Sequence, residues 1–139
     1  LAEIPFDSAY KFMATWHRAG DEVHLIIKGA PEVVLDRCNR WLSPEGEATL
    51  DDAGRDKALV DNGALTGRHL RVLAVAMRRL PAAGFNPSGD LFAQAEKLTY
   101  LGLVGLMDAP RPEAKHAIEL CKQAGIAGHR GRLTCPVPL

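Results

Sequence analysis

No initiator methionine opens this chain, no apolar run approaches the length of a membrane span, and neither sign of charge is in surplus. The missing methionine predicts that the chain starts inside a longer polypeptide. A bilayer crossing needs roughly 20 apolar residues, so direct membrane insertion by this chain is not expected, and Leu1-Ala2-Glu3-Ile4-Pro5 lacks the make-up of a signal peptide. Lys+Arg and Asp+Glu both number 17, which leaves neither the basic footprint of a nucleic-acid binder nor an acidic solvating tail. The 3 cysteines, Cys38, Cys121 and Cys135, are odd in number and far apart. They exclude a disulfide framework, offer no Cys-x-x-Cys for zinc, and fit a reducing, cytosolic setting. The histidines His17, His24, His69, His116 and His129 form no ligand cluster. Gly-x-Gly-x-x-Gly and Gly-Lys-Ser/Thr phosphate loops are both absent, as are internal repeats and low-complexity tracts.

What is present is an ordinary globular composition over 139 residues, 47% hydrophobic and 24% charged, enough for one domain with its own core. Residues 12–17 and 23–28 read as two strands joined by the Gly-containing stretch 18–22, a hairpin. Val23, Leu25 and Ile27 face one side of the second strand, His24 and Ile26 the other. Pro31 and Glu32 then suit the first turn of a helix reaching about Asn39, and 43–46 is a turn. Asp51 or Asp52 caps a second helix ending near Thr66, with Gly67 as its stop. The 71–77 stretch reads as a strand with Val72, Leu73 and Val75 mostly buried. A Pro/Gly loop over 81–89 and a short helical stretch over 90–97 follow. The apolar run 98–107 suits a strand buried on both faces, as in a parallel sheet. Pro112 opens a helix with Ala114, Ala117, Ile118 and Cys121 on one face, ended by Gly125.

Several segments could carry chemistry. In Lys28-Gly29-Ala30-Pro31-Glu32 a lysine leaves a strand, a glycine admits close approach to the backbone, and helix amides follow. A nucleotide fits there; so does a plain strand-to-helix turn with a solvated lysine. Phe6, in Ile4-Pro5-Phe6-Asp7, sits in a loop and can stack on a base or pack on the core. Lys11 and Arg71 can serve phosphates or simply be surface charges. Asp108-Ala109-Pro110-Arg111 follows an apolar strand, where ligands of α/β sheets gather; a rigid turn is the other reading.

In this order, Ile4-Pro5-Phe6-Asp7 with Lys11 and Met13, Lys28-Gly29-Ala30-Pro31-Glu32, Arg71-Val72-Leu73-Ala74, and Leu103 to Pro112 resemble the P-type cation-transporting ATPases. The resemblance covers about Ile4 to Ile126. It implies an α/β (α+β) fold, a twisted, mostly antiparallel sheet flanked by helices, forming the nucleotide-binding domain over 1–107. It further implies a hinge and the start of a haloacid-dehalogenase-like, Rossmann-type phosphorylation domain over 108–126, and it leaves 127–139 as a divergent tail. By the same resemblance Phe6 stacks on adenine, Lys11, Met13, Lys28 and Gly29 line the pocket, Arg71 approaches the phosphates, and Asp108 and Arg111 belong to the hinge. The implied ligand is ATP, with Mg²⁺ in the intact pump. The implied partners are the phosphorylation, actuator and transmembrane parts, and the implied place is the cytoplasmic side of a membrane. The family's Asp-Lys-Thr-Gly-Thr, with its phosphorylated aspartate, does not occur here, nor does the strand ending in Thr-Gly-Asp after Ile126; Ser8 and Ala109 replace a family arginine and a family proline. The expectation is therefore an ATP-binding portion without hydrolysis of its own. A stand-alone regulatory module and a non-functional remnant are the alternatives.

Overall fold

The computed structural model describes residues 1–108 and 112–125; Arg111 and the 127–139 tail lie outside the described residues. Among the described residues seven strands form one sheet: β1 (Ala2–Asp7), β2 (Phe12–Ala19), β3 (Glu22–Gly29), β4 (Cys38–Ser43), β5 (Gly46–Thr49), β6 (Arg71–Pro81) and β7 (Leu98–Leu106), in the order β1-β2-β3-β6-β7-β4-β5. Every pairing is antiparallel except that of β4 with β7. The helices are α1 (Pro31–Asp36), α2 (Asp52–Gly67), α3 (Leu91–Gln94) and α4 (Pro112–Gln123).

Local chemistry accounts for most of these elements. Gly20, at φ +63°, supplies the tight turn of the β2–β3 hairpin, whose last pair is Ala19 with Glu22. Pro31 starts α1. Asp51, of the two candidate caps, accepts a hydrogen bond from the Gly54 amide at 2.8 Å. Asp90 caps α3 in the same way through Ala93.

The core lies between the sheet and the helices. Phe12, Ala14 and Trp16 of β2 alternate with more exposed residues, as do Val23, Leu25 and Ile27 of β3. Against them pack Val34 and Leu35 of α1 and Ala58 of α2. Each large side chain fully buried here contributes about 1.5–3 kcal/mol. Arg55 of α2 donates to the carbonyls of Leu35 and Cys38 at 2.5 and 2.6 Å, tying α2 to the end of α1. Burial pushes the Cys38 thiol up to about 12.

Four expectations are corrected. The α1 helix ends at Asp36 rather than near Asn39, because the chain turns there into β4, which pairs with β5 across the 43–46 turn. In β6 the fully buried residues are Ala74 and Ala76, while Val72, Leu73 and Val75 are half-buried; α1 packs against β6, and small residues permit that approach. The 98–107 run is buried only over Leu98, Thr99 and Tyr100. It pairs in parallel with β4 but antiparallel with β6, so it is not a strand enclosed on both faces. Phe6 lies on a strand, β1, and not in a loop. Helix α4 opens at Pro112 as expected, but all its residues are exposed.

Candidate functional site

In this sheet the ends of β1, β3 and β7 and the starts of β2 and β6 meet at one edge, because Asp7 pairs with Phe12, Phe12 with Gly29, Gly29 with Ala74 and Arg71 with Leu106. Every described candidate residue lies at or near this edge.

Residues opposite one another on neighbouring strands share a face. Met13 pairs with Lys28, and Lys28 with Val75. These three form a row on the face turned away from Phe12, Ile27 and Ala76. Phe6 joins the row through a bulge. Ile4 pairs with Ala14 and Asp7 with Phe12, so Pro5 and Phe6 together stand opposite the single residue Met13. Bulges of this kind re-aim side chains, and Phe6 is left 61% exposed. Lys28 is exposed, Met13 half-buried.

The β1–β2 turn is tightly specified. The Asp7 carboxylate accepts from the Ala9 amide at 2.7 Å, and the Asp7 carbonyl from the Lys11 amide at 2.7 Å. Lys11 completes the turn at φ +55°, a left-handed conformation costly for a side chain with a Cβ. Its carbonyl accepts from the Ala30 amide at 3.0 Å, which locks the turn to the start of α1. Gly29 is the residue at the crossing. A Cβ there would lie 2.5 Å from the Lys11 carbonyl oxygen and 2.7 Å from the Phe12 Cα, both backbone atoms. The chain's own close approach thus requires this glycine.

A hollow of about 420 Å³ opens at the same edge. Phe6 and Lys11 line it with Pro31, Glu32, Asn62, Thr66, Leu70 and Leu73; Met13, Lys28 and Arg71 are not among its walls. Asn62 and Thr66 are residues that sequence reasoning missed. Their spacing of four on one helix was the available signal, and the Thr66 hydroxyl lies 3.4 Å from the Asn62 side-chain oxygen.

Arg71, the first residue of β6, donates to the carboxylate of Asp108, two residues beyond β7. Both side chains are largely exposed. The hydrogen bond from Arg71 is the main reason that the Asp108 carboxyl is held below its ordinary range, and the same bond raises Arg71 above its own. The site therefore brings together Phe6, Met13 and Lys28 in one row, Lys11 and Gly29 at one crossing, and Arg71 with Asp108 in one ion pair. Among the described residues no group of three or more His, Cys, Asp or Glu side chains is placed to hold a metal. No described helix is long and apolar enough to cross a membrane.

Set beside known proteins, residues 1–113 match the family described as P-type ATPase, cytoplasmic domain N. The chain is 36% identical over 127 residues to Calcium-transporting ATPase 1 of Bacillus cereus, covering 91% of this chain and 14% of that protein. It is 39% identical over 127 residues to Cation-transporting ATPase pma1 of Synechocystis, covering 91% and 13%. To the sodium/potassium-transporting ATPase subunit alpha-2 of Bos taurus it is 36% identical over 135 residues, covering 91% and 13%. The chain thus spans only a small part of the length of the curated relatives it matches.

Proposed function

The chain belongs to the P-type ATPases, as their cytoplasmic domain N, and on that premise we propose that it holds ATP at the edge where β1, β3 and β6 meet, for phosphorylation of an aspartate outside this chain in an ion-translocating pump. The observation that carries this reading is the row Phe6–Met13–Lys28, flanked by Lys11 and Arg71. An exposed aromatic ring suits a purine face, and the two cations Lys28 and Arg71 at the same edge suit phosphates.

Charge distributes the roles. Glu32 lines the same hollow as Lys11, so that end suits the base and ribose better than a phosphate. Lys28 lies in the row with Phe6 and Met13 and has no ion-pair partner among the described residues. With Arg71 it suits the phosphates. Mg²⁺ would arrive with the nucleotide and neutralise phosphate charge. Phosphoryl transfer depends on positioning and charge neutralisation; Phe6, Lys11, Lys28 and Arg71 supply the positioning. Asp108 and Arg111 belong to a hinge, and the segment 108–126 begins a haloacid-dehalogenase-like domain in the pump. The partners are then the pump's phosphorylation, actuator and transmembrane parts. The names of the relatives include calcium, sodium and potassium, which fits an ion choice made elsewhere.

The test is an ATP titration of the chain followed by amide NMR. Saturable shifts are expected around Phe6, Lys11 and Lys28. Phe6→Ala should weaken Kd about tenfold or more, since stacking a base contributes roughly 1–3 kcal/mol, and Lys28→Ala should weaken it comparably. A well-dispersed spectrum that ATP leaves unmoved, or shifts that both variants preserve, would overturn the reading.

A further inference from the structure

A second hollow, of about 370 Å³, shares no lining residue with the hollow at the candidate nucleotide edge. Its walls come from Glu3 and Pro5 of β1, Tyr10 of the β1–β2 turn, and Asp90 and Phe92 at the start of α3. Nothing in the proposed nucleotide role uses these residues.

Its floor is aromatic. The Tyr10 and Phe92 rings meet edge to face with centroids 5.2 Å apart, and both pack on Phe12, at 5.0 and 6.0 Å. The Tyr10 hydroxyl donates to the Pro5 carbonyl at 2.6 Å, which satisfies its polar end and anchors the ring. Phe92 remains 44% exposed. The same cluster already accommodates one cation on its inner side, for the guanidinium carbon of Arg37 sits 4.6 Å from the Phe12 ring centre. That charge is neutralised internally by Glu96, at 2.5 Å. The outer side offers rings of the same kind and two carboxylates, Glu3 and Asp90, neither in an ion pair among the described residues. Asp90 uses one oxygen to accept from the Ala93 amide and keeps the other available. Aromatic faces with nearby anions attract a planar cation.

We propose that this hollow is a docking site for an arginine side chain carried by a basic segment of a partner protein. Charge complementarity selects the cation. The rings favour a flat, weakly hydrated guanidinium over a compact ammonium, and Arg37 shows that geometry on the adjoining ring. This inference stands apart from the nucleotide reading and fails or holds without it.

The test is an NMR titration of the full chain with Ac-Gly-Arg-Gly-NH2, alongside the lysine and citrulline counterparts. Saturable shifts are expected at Tyr10, Gly89 and Phe92. The lysine peptide should bind a few-fold more weakly, and the citrulline peptide should leave the spectrum unmoved at equal concentration. Phe92→Ala should weaken the arginine peptide about fivefold, and Glu3→Gln about threefold. Glu3 is an exposed residue of β1, so that variant keeps the test decisive should Phe92→Ala disturb α3. Equal shifts with citrulline, shifts scattered over the surface, lysine binding as tightly as arginine, no saturable shift, or affinity unchanged in a folded Glu3→Gln protein would each overturn the proposal.

Discussion

On one face of the sheet Phe12, Trp16, Leu25 and Ile27 are shut away beneath the helices; on the other, Met13, Lys28, Leu73 and Val75 stand half-buried or exposed. β2 and β3 carry members of both sets, one residue out of phase, and β6 adds Leu73 and Val75 to the open one. The buried face is specified by volume and the open face by chemistry. The two meet at Gly29, which is buried itself yet directly follows the exposed Lys28.

The largest break in that contrast should come from Trp16. Trp16→Ala removes a fully buried ring and should destabilise the fold by about 3–5 kcal/mol, whereas Val75→Ala on the opposite face should cost less than about 1.5 kcal/mol. Chemical denaturation of the two variants measures the difference; equal losses would mean that the faces are not distinct in the way described. Next is the joint between them. Gly29→Ala forces a methyl group onto the backbone of Lys11 and Phe12, and neither can retreat as a flexible side chain would. A loss of about 3 kcal/mol or more is expected, read as a lower denaturation midpoint. A near-neutral outcome would show that the β1–β2 turn yields.

The smallest effect has the opposite sign. Lys11→Gly relieves a left-handed backbone and should stabilise the chain by about 1 kcal/mol, while an ATP titration should show weaker binding. Stability and affinity moving apart would mark Lys11 as held in strain for its side chain. Both moving down together would mark it as structural.

Much of this architecture was legible beforehand, and the exceptions share causes. The β2–β3 hairpin and its inward set were readable because Val23, Leu25 and Ile27 alternate with more exposed neighbours and Gly20 breaks the strands. The start of α2 was readable from an aspartate. β1 was missed because Pro5 interrupts it and the bulge breaks its alternation. β4 and β5 were missed because they are short and mostly exposed, so little periodicity marks them. In β6 the phase was misread. Residues 72–77 are apolar on both faces, and the larger ones were assumed to point inward, whereas packing of α1 selects the alanines. For the site, Lys28, Gly29 and Arg71 stood out as short motifs, and pairing places them at one sheet edge. The spacing of Asn62 and Thr66 places them on one face of α2, but that this face meets the hollow follows only from how α2 crosses the edge.

The bulge in β1 has one more consequence. β1 is one of the two outer strands of the sheet and, among the described residues, pairs with β2 alone, so the exposed aromatic ring rides on a strand held from one side in this chain. Whatever grips Phe6 thereby also clamps the strand that carries it, and whatever loosens the strand releases the grip. The two equilibria share one free energy, which makes the fraying of this margin a gauge of occupancy and lets occupancy decide how far the sheet extends.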